Sequence, residues 1–239
     1  ALNLPQAFFH NFKELRWSLI KSFLILIGIF LLLFPFANEI HHFFAKPLLM
    51  QMQSENASII STKLTATFIV PFKITLFCAF IISLPFIFWQ IWLFASPGLY
   101  KKEKFFIFWS LLMSYILFIL GSLFVYNLVF PIIFNFFISM TPDEVNLMVD
   151  ISSYLEMIIA LFLAFGFAFQ IPIILVTLVK FRWVKLKSIQ KNRPFLVVVA
   201  FIFGAIFTPP DVISQILLAL PMIFLFELGV IFAKNITID

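Results

Sequence analysis

The sequence predicts an all-α, polytopic membrane protein with six transmembrane helices. Three observations predict it. Of 239 residues, 63% are hydrophobic and 11% charged, with a mean hydropathy of +1.12. A soluble domain runs about 45–50% apolar and about 25% charged, and a chain of this size has no interior large enough to hide the difference. The apolar residues also fall in continuous runs without the period of two that a membrane barrel requires, so helices must satisfy the backbone in lipid. Finally, lysine and arginine alternate between rich and poor connections, as they do in multispanning proteins.

The six spans follow in order. The first covers roughly 17–36, the second 67–94, the third 105–131, the fourth 154–179, the fifth 195–208 and the sixth 212–233. Crossing about 30 Å of hydrocarbon takes about 20 helical residues. The fifth is too short for this, giving roughly 21 Å at 1.5 Å per residue. It is closed by Thr208-Pro209-Pro210-Asp211, so it forms an antiparallel hairpin with the sixth. That hairpin either falls short of one face, thins the bilayer or re-enters it. The first run is too long for the apolar core of a cleavable leader and is read as a permanent span. The chain reads as one membrane domain, 1–239, without repeats.

Charge sets the orientation. Lys13, Arg16, Lys21, Lys101, Lys102, Lys104, Lys180, Arg182, Lys185, Lys187, Lys191, Arg193 and Lys234 fall on one side; Lys46, Lys63 and Lys73 fall on the other. The rich side is cytoplasmic, which places both termini there. The net charge of +5 is therefore read as topology and not as nucleic-acid binding. The outer connections look ordered: Pro47 and Ser54-Glu55-Asn56 break the first, and Met140-Thr141-Pro142-Asp143-Glu144 makes a turn in the second. Ser153 with Glu156 fits a capping box that opens the fourth span.

No P-loop, dinucleotide glycine pattern, nucleophile motif or His/Cys cluster of metal spacing is present, so neither catalysis, cofactor nor metal is expected. The lone Cys78 has no internal disulfide partner, and His41-His42 reads as an interfacial pair. The intramembrane polar residues are candidates instead. Gln170 lies in the fourth span, where its amide reaches either the Ala168 carbonyl freed by Pro172 or a polar partner. Asp211 and Gln215 open the sixth span, Asp211 as a helix cap, and Glu227 lies two turns before Lys234. Pro85, Pro172 and Pro221 fall inside spans and are expected to kink them. On the cytoplasmic face, Glu14 and Glu103 stand among basic residues, either as surface ion pairs or as acceptors for a cationic ligand; a guanidinium binds carboxylate through two parallel hydrogen bonds.

Several motifs resemble the TatC family, the polytopic subunit of the twin-arginine protein translocase. Glu14-Leu15-Arg16 resembles its N-terminal element. Gln90-Ile91-Trp92-Leu93-Phe94-Ala95-Ser96-Pro97-Gly98-Leu99-Tyr100 with Glu103 resembles its first cytoplasmic loop. Asp150-Ile151-Ser152-Ser153-Tyr154, Phe165-Gly166 with Pro172, and Thr208-Pro209-Pro210-Asp211 with Gln215 complete the set. The resemblance implies a concave, glove-like bundle in the bacterial inner membrane, without enzymatic activity or nucleotide. It implies recognition of twin-arginine signal peptides on folded cargo, with Glu14 and Glu103 facing the arginine pair and Arg16 and Phe94 in support. It also implies transport driven by the proton-motive force, and single-span TatA- and TatB-type partners near the fourth to sixth spans, in a hetero-oligomer of several copies. Two positions depart from the family: Asn11 stands where it has His, and Gln170 where Glu is common. Gln cannot titrate. A small-solute secondary transporter is the alternative, expected to show repeats and a midplane ion site.

Overall fold

A computed structural model describes residues 4–52, 58–61, 65–96, 100–140, 148–207 and 212–237. Among the described residues five helical stretches are long and apolar enough to cross a membrane, and a sixth apolar stretch, Arg193–Ile206, is shorter. The chain packs as two compact units. One comprises Ala1–Phe43 and Thr67–Tyr115, the other Phe44–Ala66 and Ile116–Asp239.

The first unit is built mainly from α1 (Leu4–Leu33), α3 (Ala66–Ala95) and the start of α4 (Lys101–Phe124). Phe72 on α3 meets Phe30 edge-on at 5.0 Å and Phe34 at 6.4 Å. Pro71 and Pro85 both lie inside α3, which stays helical through them. The buried Thr75 hydroxyl donates to the Pro71 carbonyl at 2.7 Å and Ser83 to that of Phe80 at 2.8 Å, so neither is left unsatisfied in an apolar helix.

The helical path of the first span does not stop near residue 36. A 3₁₀ turn, Phe34–Phe36, with Pro35 in its first positions, leads straight into α2 (Ala37–Met52). Pro47 therefore lies inside a helix and does not break the outer connection. It removes one backbone donor, while burial of Phe44, Ala45 and Leu48 around it holds the helical path.

The third span also outruns its predicted end. α4 passes through a π turn, Val125–Val129, into α5 (Phe130–Ser139). The wide turn lets the Phe130 amide donate to Val125, and Pro131 then takes a first-turn position of α5, where its missing N–H costs nothing. Residues 132–139, read as loop from the sequence, are thus helical.

Two three-residue strands add a parallel ladder to a chain predicted all-α. β1 (Ser58–Ile60) pairs with β2 (Met148–Asp150), Ser58 opposite Met148 and Ile60 opposite Asp150. The ladder ties the two outer connections together and delivers Asp150 to the start of α6 (Ile151–Ala168). Asp150 is the cap of that helix, accepting from the Ser153 amide at 3.2 Å and its hydroxyl at 2.9 Å. The predicted capping box on Ser153 is therefore displaced by three residues: the strand holds Asp150 in the extended conformation a cap needs.

The fourth span breaks in two. α6 ends at Ala168 and α7 (Ile171–Lys180) begins with Pro172 in its first positions. A short α8 (Leu186–Lys191) leads to α9 (Arg193–Phe207) and α10 (Val212–Thr237), which remains helical through Pro221. α10 packs on both α7 and α9. Gly229 permits this: a Cβ there would lie 2.8 Å from the Pro172 Cα. Leu175, Val179, Phe226 and Val230 fill the seam. One end of this unit is held by Tyr154, whose hydroxyl donates to the Phe44 carbonyl at 3.1 Å, with Phe134 against the Tyr154 ring and Phe162 against Phe44.

Candidate functional site

The end of α3 and the start of α4 carry two of the four sequence-predicted recognition residues, Phe94 and Glu103. Tyr100 stands at the cap position before α4, and Glu103 three residues on. The Glu103 carboxylate accepts from the Tyr100 backbone N–H at 3.0 Å, and the Lys104 N–H donates to the Tyr100 carbonyl at 2.9 Å. This is the return half of a capping box. It aims the acidic group at the first turn, where the helix dipole favours negative charge. Among the described residues Tyr100 is its one hydrogen-bond partner, and the side chain stays half-buried. A carboxylate with about four acceptor sites can hold this bond and still take a guanidinium.

An aromatic wall lies beneath. Trp89 and Trp92 stack at 5.1 Å, and Phe108 of α4 meets them edge-on at 6.4 and 5.8 Å. With Pro85 and Tyr115 they line a cavity of about 220 Å³. The buried Trp92 indole N–H has no partner among the described residues. Phe94 is half-buried on the last turn of α3, and Arg16 is exposed on α1. Glu14 falls in α1, but its side chain lies outside the described ones, so its predicted juxtaposition with Glu103 has no geometry here. Residues 97–99 are likewise outside them.

Three of the intramembrane polar residues, Gln170, Gln215 and Glu227, find a partner within the chain. Gln170 sits in the break between α6 and α7, and its amide reaches the Gly166 carbonyl at 3.4 Å rather than the predicted Ala168. The break is the reason: the Gln170 backbone N–H turns to Phe167, and its carbonyl accepts from Ile174. Gln215 donates to the Phe201 carbonyl at 2.8 Å, joining α10 to α9. Glu227 pairs with Arg193 at 2.8 Å, because α9 begins beside this turn of α10. The sequence shows each residue of that pair but not their meeting, which only helix packing decides. Asp211 and the Thr208–Asp211 turn lie outside the described residues, as do Ser54-Glu55-Asn56 and residues 141–147 of the second outer connection. Among the described residues no group of three or more His, Cys, Asp or Glu has metal-holding geometry.

A family model described as "Sec-independent protein translocase protein (TatC)" matches residues 10–221. A Haemophilus influenzae protein named Sec-independent protein translocase protein TatC is 42% identical over 221 residues, covering 92% of this chain and 86% of that one. Its Escherichia coli namesake is 40% identical, covering 92% and 85%. The fold is similar to a solved structure titled "Crystal Structure of Twin Arginine Translocase Receptor- TatC", with a TM-score of 0.83 and 32% identity over 95% of this chain and 99% of that one.

Proposed function

The chain belongs to the TatC family of Sec-independent protein translocases, and from that premise we propose that Glu103 and Glu14 are the groups with which it receives the paired arginines of a signal peptide. It is a multi-pass protein of the bacterial inner membrane, a translocase component and not a known enzyme. The observation that carries the residue assignment is the bond from the Tyr100 N–H to Glu103. It fixes one carboxylate at a helix start, on the stretch between spans that carries Lys101, Lys102 and Lys104. By the charge rule that stretch faces the cytoplasm, where cargo is presented. Phe94 offers an apolar face a turn or two away along the chain, and Arg16 balances local charge.

In this reading the signal peptide belongs to already folded cargo, and transport draws on the proton-motive force. TatA- and TatB-type single-span subunits assemble along the fourth to sixth spans in a complex of several copies. Gln170 contributes there as a hydrogen-bonding amide and never as a proton carrier.

The test separates charge from fold. Glu103→Gln keeps an acceptor for the Tyr100 N–H, since glutamine serves this position of a capping box, but it removes the negative charge. We expect Glu103→Gln to weaken binding of a twin-arginine peptide about tenfold or more, the scale of a charge-assisted hydrogen bond. Glu14→Gln should do the same. Exchanging the peptide's Arg-Arg for Lys-Lys should weaken binding to the unaltered chain, because ammonium lacks the planar fork. Undiminished binding in both carboxylate variants would refute the assignment while leaving the family intact.

A further inference from the structure

The second unit holds a larger cavity, about 480 Å³, between α6, α7, α9 and α10. It exists because small side chains face one another: Ala164 and Ala168 on α6 and Ala200 on α9 are buried in its floor. Its lining is apolar except at one place, where Arg193 and Glu227 stand 2.8 Å apart, 48% and 40% exposed. Arg193 follows Lys180, Arg182, Lys185, Lys187 and Lys191 in the chain. Such a basic connection marks the headgroup level of the membrane.

Shape restricts the occupant. The lining on α9 runs from Arg193 to Phe203, roughly 15 Å of helix at 1.5 Å per residue. Over that length every lining side chain apart from the two charged ones is apolar. Water has no polar partners along the floor. A hydrocarbon chain in single file fits. The charges restrict the head of such a molecule. A guanidinium has five donors and gives one to Glu227, while the carboxylate keeps free acceptor sites. The lining's charge sums to zero, so a headgroup bearing only negative charge meets the Glu227 carboxylate as well as Arg193.

We propose that this cavity seats one zwitterionic phospholipid. One acyl chain lies along Ala164, Ala168 and Ala200; the phosphate accepts from Arg193, and the headgroup ammonium donates to Glu227. The lipid bridges α6, α9 and α10 and fills space that the protein leaves open.

The test is native mass spectrometry of the full chain, purified in mild detergent and equilibrated with equal phosphatidylethanolamine and phosphatidylglycerol. One phosphatidylethanolamine should remain per chain, in about tenfold preference. Arg193→Gln and Glu227→Gln should each lower retention about tenfold. Ala200→Phe, which fills the floor, should abolish it, and Val198→Phe, on the exposed side of α9, should not. If Ala200→Phe does not fold, the two half-exposed polar variants decide. Equal retention of both lipids, no retained lipid, or retention unchanged in the polar variants would overturn the proposal. So would photo-crosslinking from Phe203 in cells that captures a protein segment and no lipid.

Discussion

Asp150 and Ser153 differ by three positions and by a whole role. The Asp150 carboxylate accepts two hydrogen bonds from Ser153, whereas the Ser153 hydroxyl is a donor to it. Asp150→Ala should therefore lower stability by about 1 kcal/mol, the worth of a helix cap. Ser153→Ala keeps the backbone N–H and should cost less. Thermal unfolding in detergent measures both, and the reverse order would restore the cap to Ser153. The sequence exposed the right neighbourhood but not the right residue, because the choice depends on the ladder with β1, ninety residues away along the chain. Gln170 is similar: its isolation in an apolar run is plain from the sequence, but its acceptor is set by where the helix breaks.

At the scale of elements, close approach between helices sets the sharpest sensitivity. A Cβ at Gly229 would crowd both Pro172 and Leu175, so α7 and α10 must part to admit it. Gly229→Ala should destabilise by about 1–3 kcal/mol, as overpacking does. Gly28, in α1, has nothing within 4 Å of the same added atom. Gly28→Ala should leave stability unchanged or raise it by up to about 1 kcal/mol through helix propensity alone. A lowered melting temperature for Gly229→Ala and none for Gly28→Ala is the expected result. The turn after α7 offers a third case. Arg182 occupies a left-handed conformation, φ 59°, while Trp183 donates to the Leu178 carbonyl across the helix end. Arg182→Gly should stabilise by about 1 kcal/mol by removing that strain, and an unchanged or lowered melting temperature would contradict it. The prolines show why element ends were the least legible feature. Pro35, Pro47 and Pro131 look alike as helix breakers, yet the first enters a 3₁₀ turn, the second sits in a helix, and the third starts a segment after a π turn. Which outcome follows depends on burial of the neighbours and not on the proline.

For the whole molecule, the helical class and the positions of the apolar stretches were legible because lipid leaves the backbone few options. The short fifth stretch was legible too, and the 15-residue α9 gives it roughly 22 Å, still well under the hydrocarbon thickness. If this hairpin thins the bilayer, adding one turn of leucines to α9 should impair export and leave peptide binding intact; unchanged export would remove the idea. What the sequence left hidden are meetings between distant residues: the β1–β2 ladder, the Arg193–Glu227 pair and the two cavities. None has a local signal, since each arises only when helices pack. The central claim is itself a meeting, between Glu103 and a guanidinium of the signal peptide. A double-mutant cycle measures it most directly, pairing Glu103→Gln with Arg→Gln at each arginine of the peptide. A coupling energy of about 1 kcal/mol or more is expected for one arginine, beyond the additivity of independent sites. Additive losses at both arginines would show that Glu103 does not touch the pair.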